Sequence, residues 1–470
     1  MKNSYVKKLV ALYFSIFIVG MLLVLSLIGK ESIVDRSIVI GPSEQIFVLM
    51  ASLIVIVALI SITINMYKHR KKLISLEPPT IQVEELNVSH SMEFVGTKQT
   101  ESYFKNEEST DESRFFMLRQ IDKEAKAANN HLYDNEITFE ELCNEFRYFA
   151  AGTLGLYYDI KDIRRFVGGL AVSHIMILQG MSGTGKTSLA YAFGEYLNNS
   201  SVVVPIQPMW KERTDLIGYY NEFTKKFNET TLLQKLYGAS HDEQMYITIL
   251  DEMNIARVEY YFAEFLSLLE IPDHNKRYLD VISDVWDTDP ELLQDGKLIL
   301  PNNMWFIGTA NNDDSTFAIS DKVYDRAMVI NLDKKAQAFI AKPIRGRNVS
   351  ATKFEELIAR ARKEYAISNR NLRRLKELDK YMIKQFHISF GNRIMGQIIN
   401  YTPVIVACGG TELQALDDIM SKKVLRKLET KNMVYVKSEA PGLIAYIEEL
   451  FGEGEMEQCI EYIRNIEINV

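Results

Sequence analysis

The sequence predicts an α/β fold, a parallel sheet flanked by helices, followed by a helical domain and preceded by two transmembrane helices. Three observations carry that expectation. Five short apolar runs, at 175–178, 202–206, 246–250, 305–308 and 328–331, alternate with helical segments. The first of them leads directly into the glycine-rich turn of HIMILQGMSGTGKTS, residues 174–188, and a helix pattern follows at once. Near the N-terminus, residues 9–29 and 45–67 contain no charged side chain. Strands that alternate with helices pair in parallel and are covered on both faces. Each uncharged stretch is long enough to cross a hydrocarbon core of roughly 30 Å as a helix.

The 470 residues leave room for two or three domains, and 47% hydrophobic with 25% charged residues are globular values. A net charge of −8 argues against a broad, sequence-independent DNA surface, although not against a local basic loop. Cys143, Cys408 and Cys459 lie far apart and form no CxxC pair. That spacing argues against a disulfide framework or a zinc site and suits a reducing compartment.

Taken in order, residues 1–72 read as a two-span anchor in the lipid bilayer. Lys2, Lys7 and Lys8 precede the first span, and Lys68, Arg70, Lys71 and Lys72 follow the second. The loop between carries Lys30, Glu31, Asp35, Arg36 and Glu44, with no positive excess. The asymmetry places both ends, and everything after them, in the cytoplasm. A cleaved signal peptide is the alternative for the first span, but an A-x-A-like site is lacking. No ionisable residue interrupts either span, so the hairpin reads as an anchor rather than an ion path. Residues 73–135 are polar and mixed in charge, a linker with room for a short helix at 113–128.

Residues 136–342 form the expected α/β domain. It opens on Thr138 with Glu141 three positions on, the pattern of a reciprocally capped helix. The turn at 180–187 matches G-x-x-x-x-G-K-S/T in full. Glycines let successive N–H groups curl toward one hollow, and the following helix adds its positive end. Gly180, Ser182, Gly183, Thr184, Gly185 and Ser188 are therefore assigned to a nucleotide's phosphates. Lys186 is assigned to the β- and γ-phosphates and Thr187 to Mg²⁺. The third strand delivers Asp251 and Glu252 to its carboxyl end, so that Asp251 joins Thr187 as a metal ligand and Glu252 polarises the attacking water. The fourth ends in GTANNDD, where Asn311 would orient that water.

Residues 343–470 form a helical lid, with helices expected at 352–365, 369–387, 391–401 and 412–428. Two stretches invite a second reading. The aromatics and charges from Trp210 to Phe227 suit core packing better than base stacking. Residues 273–301 suit a hairpin insertion, with a turn at Asp295-Gly296 and with either a substrate contact or no contact role.

The runs LDEMNIARVEYYFAEFLSLLE and MWFIGTANNDDSTFAISDKVYDRAMVI, together with PMWKERTDLIGYYNEFTKKF, strongly resemble the dynein-related and McrB-like branch of the AAA+ P-loop NTPases. The resemblance spans about residues 160–428 and holds four motifs in family order. It implies that Asn311 is sensor 1, that Asp314 is the acid of an N-x-x-D element, and that Arg326 is an arginine finger acting on a neighbour's nucleotide. Arg393, in Phe390-Gly391-Asn392-Arg393, would be sensor 2 in the lid. The cofactors implied are ATP, or GTP as the alternative, with Mg²⁺. A ring of like subunits, a hexamer in many relatives, would drive remodelling of a protein partner. The rival reading is the NTP-dependent motor subunit of a McrB-like defence system, working with a McrC-like or nuclease subunit. The anchor and acidic linker stand where restriction proteins recognise DNA, which leaves nucleic-acid binding open.

Overall fold

Alternation along one strand shows how the sheet is buried. In β1 (Ile175–Gln179), Ile175 and Ile177 enter one apolar layer while Met176 and Leu178 enter the other. Successive side chains of a strand point to opposite faces, so a strand apolar at every position must be covered twice. The computed structural model describes residues 113–127, 132–134, 136–311 and 316–468. The two expected spans, most of the linker and Asp314 lie outside the described residues. Among the described residues no helix is long and apolar enough to cross a membrane.

The strands are β1, β2 (Val202–Pro205), β3 (Gly218–Asn221), β4 (Lys226–Glu229), β5 (Tyr246–Asp251), β6 (Tyr278–Asp280), β7 (Lys297–Ile299), β8 (Met304–Ala310) and β9 (Met328–Asn331). A parallel five-stranded sheet has the order β2-β5-β8-β1-β9. The chain leaves β1 for the far edge, returns through β5 and β8, and then crosses to β9 on the other side of β1. That reversal is the place where open α/β sheets hold ligands, beyond the carboxyl ends of the strands. β3 with β4, and β6 with β7, form separate antiparallel hairpins. The second lies in the expected insertion; a long segment joins its strands, and just before β7 Asp295-Gly296, both at positive φ, turn the chain between Gln294 and Lys297.

The longer helices among the described residues are α1 (Met117–Ala127), α2 (Phe139–Leu154), α3 (Ile160–Leu170), α4 (Lys186–Tyr196), α5 (Thr231–Ala239), α6 (Ala351–Glu364), α7 (Asn369–Phe386), α8 (Gly391–Ala407), α9 (Glu412–Lys423), α10 (Met433–Phe451) and α11 (Glu457–Ile468). Thr138 caps α2 reciprocally with Glu141. One sheet face carries α5 and the aromatic turns around Phe262 and Phe265, and the other carries α2, α3 and α4. A third apolar cluster sits within α7–α11.

Three boundaries differ from expectation. Helix α6, expected in the lid, packs Phe354, Leu357 and Ala361 into the α/β core beside Trp305. Helix α8 runs through Pro403 to Ala407 rather than stopping at 401. Proline forfeits one helical bond, but Ile398, Tyr401, Val404 and Ile405 form one buried face that holds the helix together. The segment 113–127, expected within the linker, packs Phe115 and Leu118 into the core. Arg114 is 2% exposed, bonds Asp289 through Nε (2.9 Å) and Nη2 (2.7 Å), and lies over the Trp286 ring. The Glu229 carboxylate accepts from the N–H groups of Phe116, Met117 and Leu118, closing the start of α1. In the expected packing stretch, Trp210 meets Tyr261 edge-on and Phe227 is buried, but Phe223 at the hairpin tip is 99% exposed.

Candidate nucleotide site

The loop after β1 curls because its glycines adopt backbone that side chains resist. Gly183 and Gly185 have φ of 77° and 92°. At Gly180 a Cβ would stand 2.4 Å from the Leu332 carbonyl oxygen, so the turn passes too close to β9 for any other residue. Helix α4 begins at Lys186, directly behind the loop. Lys186 is 7% exposed, and its Nζ donates to the carbonyls of Gly180 (2.9 Å) and Met181 (2.8 Å). Thr184 Oγ1 closes the turn by donating to Met181 O at 3.0 Å. Ser182 and Gly183 are exposed, while Thr187 and Ser188 are half-buried in the first turn of α4.

Parallel pairing brings the acids beside this loop. The β5–β8 register sets Leu250 against Gly308, so Asp251 stands level with Thr309. Thr187 Oγ1 and Thr309 Oγ1 both donate to Asp251 Oδ1, at 2.8 and 2.9 Å. The N–H of Glu252 donates to Thr309 Oγ1 at 2.9 Å. Glu252 itself has φ 52° and ψ 47°, a left-handed turn that brings its exposed side chain out at the strand end. At Gly308 a Cβ would stand 2.0 Å from Met253 Sδ, so the Met253 side chain packs directly against this backbone and a larger residue would displace it.

These donors fit the expected ligands. Thr187 and Asp251 offer two hard oxygens within one hydrogen bond of each other, as Mg²⁺ requires when phosphate and water supply the rest. Bound there, Mg²⁺ would neutralise charge on the phosphate oxygens.

Two residues to which the sequence reading gave no role complete the site. Thr309 links Asp251, the expected metal ligand, to the Glu252 backbone. A hydroxyl one residue before the tip of an otherwise apolar central strand is the signal that marks it. Asn254, 5% exposed, donates through Nδ2 to Asn311 O (2.9 Å) and Phe317 O (3.3 Å), and so ties the end of β8 at Asn311 to the backbone of Phe317. Asn311 is half-buried at the carboxyl end of β8, in a cleft of about 540 Å³ shared with Gln179, Asn331 and lid residues Lys422 and Arg426. Thr309→Val should leave nucleotide affinity nearly unchanged and lower turnover about tenfold, the cost of a partly buried N–H and carboxylate each losing a partner. Parallel measurements of equilibrium binding and phosphate release check this.

Arg326 and Arg393 stand elsewhere. Arg326 precedes β9, level with the amino end of β1, since Met176 pairs with Met328. The length of β1, about 16 Å, separates it from its own phosphate loop. Arg393, expected at the nucleotide, joins Arg326 instead, because the first turns of α8 pack there and Gln397 donates to Asp325 O at 3.2 Å. Both guanidiniums contact Glu270. Around them, burial, reinforced by Arg277, pushes the His174 imidazole down to about 4. Burial also pushes the Lys423 ammonium down to about 7, against the pull of Asp325.

A family model matches the stretch that holds the phosphate loop and the paired acids. Residues 175–327 match the family model "AAA domain (dynein-related subfamily)". Lon protease of Chlamydia trachomatis is 26% identical over 295 residues, which cover 59% of this chain and 32% of that protein. The chain thus matches only about a third of its curated relative's length. Among solved structures, a candidate ATPase from Cytophaga hutchinsonii is similar at TM-score 0.44 and 13% identity, covering 70% of this chain and 97% of that one. A full-length MCM homolog from Methanopyrus kandleri is similar at TM-score 0.35 and 10% identity, covering 61% and 60%. With the family match lying on the phosphate loop, the paired acids and the sheet that joins them, the α/β domain is an AAA domain, the nucleotide-binding core of the AAA+ ATPases.

Proposed function

We propose that this chain is a membrane-anchored AAA+ ATPase that assembles into a ring, a homo-hexamer, and uses hydrolysis to remodel a protein partner on the cytoplasmic side. The observation that carries the hydrolytic part is the hydrogen-bonded run from Thr187 through Asp251 and Thr309 to the Glu252 backbone. Lys186 and the loop N–H groups bind phosphate, and Thr187 with Asp251 holds the metal. Glu252 takes the proton of the attacking water, and Asn311 orients that water. Arg326 is too far from its own loop to serve it, so it acts on the nucleotide of an adjacent subunit. The anchor rests on the two uncharged stretches within residues 1–72. A protein substrate is supported by likeness to a protein named as a protease.

Phosphate release by the full-length chain with Mg²⁺, measured with ATP and GTP side by side, tests the reading. Hydrolysis of ATP should dominate, and Lys186→Ala should abolish nucleotide binding. Preference for GTP, with stimulation by nucleic acid, would favour the McrB-like motor working with a nuclease. Retention of neither nucleotide by the folded chain would overturn both.

A further inference from the structure

Two guanidiniums and one carboxylate meet beside the amino end of β9. Glu270 ends the helical run that follows β5. Its Oε2 lies 2.8 Å from Arg326 Nη2, and its Oε1 lies 2.6 Å from Arg393 Nη2. Arg326 belongs to the α/β domain and Arg393 to the first turn of lid helix α8, so one carboxylate ties the two together.

Both ends of this tie are held by their backbones. Arg277, buried, donates from Nε to Ile271 O (2.9 Å) and from Nη2 to Leu269 O (3.4 Å), on either side of Glu270. Lys423, also buried, donates to the carbonyls of Tyr324 and Ala327, on either side of Asp325-Arg326. Such anchoring sets the Arg326–Glu270 half apart from a surface ion pair, in which two long side chains spend entropy to meet, while the Arg393 side chain, 52% exposed, joins from the solvent side.

The charges do not cancel. Two guanidiniums carry +2 and the carboxylate −1. Nε and Nη1 of Arg326 are buried without a hydrogen-bond partner, and Arg326 lines a cleft of about 490 Å³ with Arg393 and Glu270. A guanidinium satisfied on only one of its edges is suited to an anion with more oxygens and more charge than a carboxylate has.

We infer that Glu270 is a placeholder, holding Arg326 and Arg393 where the terminal phosphate of a nucleotide bound to a second copy of this chain takes its position. Assembly is then an exchange in which both arginines leave the carboxylate for phosphate oxygens. Glu270 raises the subunit concentration that assembly needs and keeps the arginines from stray anions in the lone subunit. The inference rests on the proposed ring and on Arg326 acting across its interface.

Sedimentation velocity of the full-length chain in detergent tests it, with ATP and Mg²⁺ and in a Glu252→Gln background that does not depend on turnover. Glu270→Gln should lower the subunit concentration at half-assembly about tenfold, the size of one lost charge-assisted competitor. Glu270→Asp, which keeps the charge, should stay within about threefold of the parent. An unchanged or higher midpoint for Glu270→Gln would show a strut rather than a competitor and overturn the inference. So would equal midpoints for the Gln and Asp variants. Failure of the parent itself to assemble with ATP would instead sink the ring reading, and the placeholder with it. The parent sample alone reports that outcome.

Discussion

Glu252→Gln is expected to keep nucleotide binding while turnover falls about 100- to 10,000-fold, the range for loss of a positioned general base. The substitution preserves size and the backbone bond to Thr309, and it removes only the ability to accept a proton. The left-handed turn at Glu252 brings the side chain out beside the loop while Asp251 stays half-buried against Thr187 and Thr309. Adjacent carboxylates are thereby given separate tasks. Equilibrium binding and single-turnover phosphate release on the same preparation separate affinity from chemistry. Equal rates for parent and variant would remove Glu252 from the mechanism.

Arg326→Ala is expected to bind nucleotide normally and to lose about 1,000- to 100,000-fold in turnover, as for other arginines supplied to a transferring phosphoryl group. A guanidinium offers forked donors and a permanent charge where negative charge grows. Position makes the prediction sharper. Within one chain, Arg326 and Lys186 lie at opposite ends of β1, so the loss cannot reflect damage to the subunit's own pocket. Mixing Arg326→Ala with Lys186→Ala should then restore part of the activity, because the first supplies intact pockets and the second intact arginines. Inactivity of the mixture, despite co-sedimentation of the two variants, would refute action across the interface.

How much of this could be read in the chain follows from the range of the interactions. The phosphate loop, the paired acids and the Thr138 cap are local patterns, settled within a few residues, and strand ends lie within two residues of expectation. Thr309 and Asn254 sit inside segments whose importance was evident, yet their roles arise from strand register. Glu270 and Lys423 gave no signal, since each acquires meaning only when the lid packs against the segment before β9. Arg114 is similar: its partner Asp289 lies 175 residues away, and a short polar segment looked like linker until that contact supplied its place. Helix α8 departs from expectation in the opposite direction, running past 401 and through Pro403, because a local rule for ending helices yields where Ile398, Tyr401, Val404 and Ile405 are buried along it.

The clasp between Arg114 and Asp289 also sets a load path. Any tension drawn through the chain upstream of Ser113 is delivered first to the 284–291 segment, beside the β6–β7 hairpin, and to Glu229 at the end of β4. The two insertions would take up that pull before the sheet does, and the lid would feel it last.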